Sequence, residues 1–169
     1  RRPVARKTRK RAKKGKKETM RLYGLPESYQ SGNLRYQNPI EKGIMWYWFS
    51  LYVRKRDVRK YGCCISCGRA ITVESSDAGH FMPASSCGHD LLFDEMNVNA
   101  ECRQCNAWDE THLLGYAEGL NGRYRAGAAE SLRERYRIAK SNQPVKNLKP
   151  AEYAEKIAHY KALCSTFTA

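Results

Sequence analysis

Between Ile40 and Asp57 apolar side chains recur at helical spacing. Ile44, Trp48, Leu51 and Tyr52 share one stripe, and Arg54, Lys55 and Arg56 gather near the C-terminal end, where cations suit the helix dipole. This predicts a core helix whose aromatic residues pack. The helical period then stops. Gly62 and Gly68 supply turns, Ala70–Glu74 is a β-branched strand candidate, and Ala78–Met82 is a second extended piece carrying His80. Pro83–Asp90, rich in Ser and Gly, reads as an exposed loop, and Leu91-Leu92-Phe93 as a returning strand, which makes a hairpin with a long loop. From Gln104 the chain turns helical again with Trp108, Leu113 and Tyr116 available to pack. Two supporting helices are predicted near Arg125–Lys140 and Pro150–Cys164, with Pro144 in the loop between them. Residues 18–40, punctuated by Gly24, Pro26, Gly32 and Pro39, read as an extended linker. The fold class expected from these elements is α+β.

At 169 residues the chain fits one ordinary domain with appendages. The most apolar stretch, Gly43–Val53, is too short to cross a bilayer, so a soluble protein with no membrane partner is expected. The basic opening stretch lacks the apolar core of a secretory signal. Charge is unevenly placed: twelve Lys and Arg against Glu18 give residues 1–21 a charge of +11, leaving +3 of the total +14 for all the rest. A block this basic repels itself and buries nothing. Arg2, Arg6, Lys7, Arg9, Lys10, Arg11, Lys13, Lys14, Lys16 and Lys17 therefore read as a disordered arm that neutralises nucleic-acid phosphates. A solubilising or targeting tail is the bland alternative.

The seven cysteines are odd in number and come without a secretory signal, so a disulfide framework is the weaker reading. Four of them form two like pairs, Cys64-Ile-Ser-Cys67 and Cys102-Arg-Gln-Cys105, with 34 residues between. A two-residue gap in a tight turn lets both thiolates face one ion, and two such knuckles complete the tetrahedral sulfur shell of structural zinc. Cys63, Cys87 and Cys164 have no such spacing and read as packing residues.

Around these knuckles the order is strand, His80, loop, strand, Asn97, then a helix with Asn106 directly after Cys105. That order suits phosphodiester hydrolysis. The attacking water needs a base near neutral pKa, which imidazole provides, and the scissile phosphate needs a divalent ion held by oxygen ligands.

In these residues the chain resembles the HNH (ββα-metal) nucleases, and within them the lambdoid-phage Rap (NinG) recombination endonucleases, which cut Holliday junctions and D-loops. The resemblance is carried by Tyr52-Val-Arg-Lys-Arg-Asp57, Cys64-Ile-Ser-Cys-Gly68, Asp77-Ala-Gly-His-Phe81, Leu92-Phe-Asp-Glu-Met-Asn97, Cys102-Arg-Gln-Cys-Asn106 and Tyr116. It implies a ββα-metal core with a four-cysteine zinc site, flanked by α-helices. It implies His80 as general base, Asn97 as the asparagine that pins the histidine-bearing loop, and Asn106 as a ligand, with Asp77, of Mg²⁺ or Mn²⁺. Two positions depart from the pattern. Gly79 stands where many HNH enzymes carry a second metal ligand, and Ala107-Trp108-Asp109 where a lysine is common. Asp77, two residues before Gly79 and hence on the same strand face, is the candidate to supply the ligand the resemblance implies there, with a turn-forming role before Gly79 as its alternative. The implied organisation is a basic arm (1–20), a linker (21–39), a zinc-stabilised nuclease domain (40–140) and a C-terminal supporting helix (141–169). The implied substrate is branched DNA in the cytoplasm of a bacterial host, and the two cuts of junction resolution suggest a homodimer. Two other functions fit parts of the pattern: a non-catalytic zinc-ribbon protein that binds nucleic acid, and a homing or restriction-like HNH enzyme that reads a sequence.

Overall fold

The computed structural model describes residues 15–29, 34–35, 39–109, 111–141 and 148–167. Residues 15–22 are helical (α1), so Lys16 and Lys17 stand on a helix where the sequence predicts a disordered arm followed by an extended linker. Thr19 Oγ1 and the Tyr23 N–H close local hydrogen bonds there, to Gly15 O and Thr19 O. The other eight basic positions of the expected arm, Arg2 to Lys14, lie outside the described residues.

The core helix forms as expected, α2 at Ile40–Tyr61, with Arg59 and Lys60 in its last turn. Its buried face differs from the expected stripe. Ile44, Met45, Trp46, Phe49 and Val53 are buried, whereas Trp48, Leu51 and Tyr52 are half-exposed. The buried run continues to Asp57, a charged residue that a hydrophobic pattern does not count. Seven further elements follow: β1 (Ser76–His80), α3 (Gly88–Leu92), β2 (Val98–Cys102), α4 (Arg103–Ala107), α5 (His112–Arg123), α6 (Ala128–Ser141) and α7 (Pro150–Ser165). Among the described residues no helix is long and apolar enough to cross a membrane.

The chain divides into two compact units, one drawn from residues 1–49 and 148–163, the other from 50–147 and 164–169. In the first, Phe49 meets Tyr160 edge-on at 5.0 Å, and Tyr153, Ile157 and Tyr160 form the buried stripe of α7. Helix α7 starts with Pro150 in its first turn, and the Glu152 carboxylate accepts the Lys149 N–H at 2.7 Å, which satisfies a donor the helix leaves open.

The second unit is built on a two-stranded antiparallel sheet in which Ser76 faces Cys102, Asp77 faces Glu101 and His80 faces Val98. Both strands depart from the expected hairpin. Ala70 makes one isolated bridge, to Cys63, and the chain then turns, because Thr72 and Ser75 exchange side-chain hydrogen bonds that compete with a strand ladder. Leu91 and Leu92 belong to helix α3, not to a returning strand, and both are buried at 2% and 3% exposure. A three-residue apolar run carries no period, so it fits either element. The true partner strand, β2, alternates Val98, Ala100 and Cys102 with Asn99 and Glu101, and every one of the five is buried.

Asp57, fully buried, joins the unit's elements. Its carboxylate accepts the Ala100 N–H of β2 at 2.7 Å, Arg56 Nε at 2.7 Å and Arg123 Nη1 of α5 at 3.4 Å. Arg123 in turn donates to Cys63 O at 2.7 Å, and Arg56 to Val98 O at 3.2 Å. Removing one member of a buried ion-pair network strands the others, so Asp57→Ala is expected to cost about 3–5 kcal/mol. Urea unfolding is the measurement, with Glu130→Ala, which removes an exposed pair to Arg133, as the near-neutral control.

Candidate functional site

Cys64, Cys67, Cys102 and Cys105 come together: their four sulfur atoms lie within 4.8 Å of one another. A tetrahedral zinc with Zn–S bonds of about 2.3 Å puts sulfurs about 3.8 Å apart, and the Cys67 and Cys102 sulfurs are 3.8 Å apart. The backbone prepares this. Gly68 N–H returns to Cys64 O at 3.0 Å to close the first knuckle, and Ile65 N–H bonds Ala100 O at 3.1 Å, tying that knuckle to β2. Cys102 ends β2 and Cys105 sits one turn into α4, so both project to the same point. Burial pushes the Cys64 and Cys105 thiols up; at Cys67 burial is outweighed by the Arg69 backbone and neighbouring thiols, and the thiol shifts down. The donor set fits zinc, and the cluster could hold one ion as a closed four-thiolate shell.

Helix α5 packs on the first knuckle at very short range. A Cβ at Gly115 would collide with Ser66 O and one at Gly119 with Ile65 O, so two glycines four apart clear one helix face for the knuckle backbone. From the same helix Tyr116, fully buried, donates its hydroxyl to Gly79 O at 2.9 Å and accepts Asn99 Nδ2 at 3.3 Å, with its pKa driven up by burial. Trp108 and Leu113, expected to pack, do not: Trp108 is 77% exposed and Leu113 39%.

His80 ends β1, half-buried, with Nε2 3.0 Å from Leu92 O. A carbonyl accepts only, so this contact holds the proton on Nε2 and makes Nδ1 the basic nitrogen. Asn97 is fully buried and joins the two ends of the loop after His80: its Oδ1 accepts the Met82 N–H at 2.7 Å and its Nδ2 donates to Leu91 O at 2.8 Å. Asp94 Oδ1, accepting the N–H groups of Met96 and Asn97 at 2.8 and 2.9 Å, shapes the turn that feeds β2.

Asp77 and Asn106 meet as well, Asn106 Nδ2 donating to Asp77 Oδ2 at 3.3 Å. By strand alternation Asp77 and Gly79 share one sheet face with their partners Glu101 and Asn99, while His80 falls on the other. The His80 ring therefore contacts the α3 backbone, and the carboxylates gather with Asn106.

One residue in this polar cluster, Glu101, stands out beyond the sequence expectations. Glu101 is fully buried. Its Oε1 accepts Ser66 Oγ and, at 2.8 Å, His112 Nδ1, while its Oε2 is buried with no hydrogen-bond partner among the described residues. Burial raises its pKa, Ser66 and His112 work against that, and Asp77 adds to it. His112, a lesser candidate in the sequence, lies on the first turn of α5 and orients this carboxylate.

Over residues 2–168 the sequence matches the family described as Bacteriophage Lambda NinG protein. Among curated proteins it is similar to protein ninG of Salmonella phage P22, 30% identical over 107 residues that cover 63% of this chain and 50% of that protein. The chain thus spans half the length of this curated relative. No solved structure matches it.

Proposed function

The chain belongs to the family of the bacteriophage lambda NinG protein, and from that premise we propose that it is an HNH (ββα-metal) endonuclease that hydrolyses phosphodiester bonds in branched DNA. The observation that carries the reading is the Asp77–Asn106 contact of 3.3 Å beside the four-cysteine cluster, with Asn97 bracing the loop behind His80. The order β1, α3, β2, α4 supports a ββα-metal core. Structural zinc without an open coordination position does no chemistry, and the hydrolytic work falls to side chains outside it.

In the proposed reaction His80 Nδ1 accepts a proton from the water that attacks phosphorus in line. Leu92 O keeps the imidazole in that tautomer, and Asn97 keeps Leu91 and Met82 in place around it. Asp77 and Asn106 would hold a divalent cation, which would supply charge compensation for the scissile phosphate and the departing 3′ oxygen. Release of that oxygen, which takes a proton from solvent water, leaves 5′-phosphate and 3′-hydroxyl ends, and His80 returns its proton to solvent. Trp108, 77% exposed two residues beyond Asn106, offers an indole face for an unstacked base.

The test is cleavage of four-way, D-loop and linear DNA with Mg²⁺, Mn²⁺ or EDTA. Cutting of the branched substrates with either ion, and none in EDTA, is the expected result. Binding without cutting in every condition makes the chain a zinc-ribbon nucleic-acid-binding protein. Efficient cutting of linear duplex at one sequence makes it a homing or restriction-like enzyme.

Affinity is expected to come largely from residues 1–17. Removing them should weaken binding to all DNA shapes and flatten its salt dependence by about 0.9 in slope for each phosphate no longer neutralised, while cutting at saturating protein persists. A salt titration of Kd for both proteins measures this. An unchanged slope shows that this segment does not touch DNA.

A further inference from the structure

Asp77 and Glu101 are direct cross-strand partners, two carboxylates set against each other in the sheet. Like charges in that register repel unless something positive lies between them. Around Glu101 the described donors are all on one side: Ser66 Oγ and His112 Nδ1 both go to Oε1, and the buried Oε2 receives nothing from them. A buried carboxylate oxygen left without a partner is costly, and a cation is the partner that would satisfy it. Its surroundings are oxygen-rich. A Cβ built on Gly79 would collide with Glu101 Oε2 and lie 3.0 Å from Asn106 Oδ1, so both oxygens reach the space above the Gly79 backbone. Asn106 Nδ2 meanwhile points to Asp77, which leaves its Oδ1 turned toward Glu101.

We propose that Glu101 is a ligand of a divalent-cation site, with Asn106 Oδ1 and Asp77, in the space that Gly79 leaves open. This rests on the endonuclease reading for its purpose and adds a second carboxylate to Asp77. The residue before His80 is Gly79, which has no side chain to offer, and the ligand comes across the sheet from β2. Gly79 is then required, because any side chain there occupies the position of the Glu101 carboxylate. His112 and Ser66 fix the far oxygen, as partners around metal ligands commonly do, and so aim the other one. Two carboxylates and an amide oxygen suit Mg²⁺ or Mn²⁺, which bind through one or two carboxylates and retain several waters.

The test uses the zinc-loaded full chain without DNA and reads Mn²⁺ binding by electron paramagnetic resonance. Glu101→Gln keeps the shape and acceptors for Ser66 and His112 but removes the charge. It is expected to retain zinc and thermal stability while binding Mn²⁺ at least tenfold more weakly. Mn²⁺-induced NMR broadening in the unmutated protein is the second measurement, and it should reach the Gly79 amide and the Asn106 side-chain amide first. A folded Glu101→Gln protein with unchanged Mn²⁺ affinity, or broadening centred elsewhere, overturns the proposal while leaving the nuclease reading standing. Mn²⁺ bound here by a protein that cuts no DNA does the reverse.

Discussion

Cys102→Ser is expected to remove zinc and to abolish cooperative folding of the second unit. Cys102 holds three roles at once. It contributes a sulfur 3.8 Å from that of Cys67, it ends β2 opposite Ser76, and it begins the turn into α4, which carries Cys105 and Asn106. Strand β2 is short and pairs with one strand among the described residues, so its attachment to the first knuckle through Ile65 and Ala100 has little else behind it there. Structural zinc contributes about 10–16 kcal/mol of apparent binding free energy at neutral pH, against a net stability of about 5–15 kcal/mol for an ordinary domain. Removing one thiolate from the shell therefore exceeds what packing of this unit can absorb. The burial-raised Cys64 and Cys105 thiols add to the effect, since without a cation they stay protonated and leave polar sulfur facing sulfur. Metal analysis should find about one zinc per chain in the unmutated protein and little in Cys102→Ser, whose thermal unfolding should be broad or absent by circular dichroism. Cys63→Ser, outside the four-sulfur cluster, is the control and should keep its zinc. Full zinc content and a sharp transition in Cys102→Ser would show that Cys102 is no zinc ligand, and absence of zinc from a well-folded unmutated protein would show that the cluster is four packed thiols.

The parts legible in the sequence are those whose physics is local. Two-residue cysteine spacing determines the knuckles whatever surrounds them, and the helices α2, α6 and α7 appear where apolar residues recur every three to four positions. The sheet is harder to read for a definite reason. Its second strand puts Asn99 and Glu101 on a polar face that is buried, so the usual alternation of apolar-inward and polar-outward residues is present without its usual meaning. Leu91 to Phe93 offers a stronger apolar signal and draws the strand assignment to what is a short helix. In α2 the charged Asp57 belongs to the buried face because two arginines neutralise it, a fact that periodicity does not contain. Within the candidate site, the Asp77–Asn106 contact follows from strand alternation and motif spacing. Glu101 escapes a reading of the sequence because its importance lies in what is opposite it. Only the cross-strand register, with Asp77 facing it and Gly79 beside it, sets its carboxylate against the others. A charged residue placed immediately before a knuckle cysteine, on a strand, is the available signal.

His80→Ala is expected to lower cleavage by about a hundredfold to ten-thousandfold while leaving zinc, fold and DNA binding close to those of the unmutated protein. That range is what a positioned general base contributes to proton transfer. The structural consequence is small by comparison: His80 is half-buried and outside the sulfur shell, and its hydrogen bond to Leu92 O is worth about 1 kcal/mol. Leu92 O then needs another donor, which water can supply at a half-exposed site. Asn106→Ala should also cut poorly, but added Mn²⁺ should restore part of its activity, since in the proposed reaction Asn106 acts through the ion and His80 through the water. Asp77→Ala separates the two roles open to that residue. As a ligand its removal should resemble that of Asn106, including rescue by Mn²⁺; as a turn former it should lower stability and preserve cleavage per folded molecule. The Asn106 Nδ2 to Asp77 Oδ2 contact favours the ligand role, because a turn residue directs its side chain to nearby backbone, and Asp77 reaches 29 residues along the chain. Single-turnover cleavage of a four-way junction, with bound fraction measured in the same samples, distinguishes these outcomes. Undiminished cutting by His80→Ala protein freed of contaminating nucleases would remove the general base from the mechanism and leave the zinc-binding DNA module as the function.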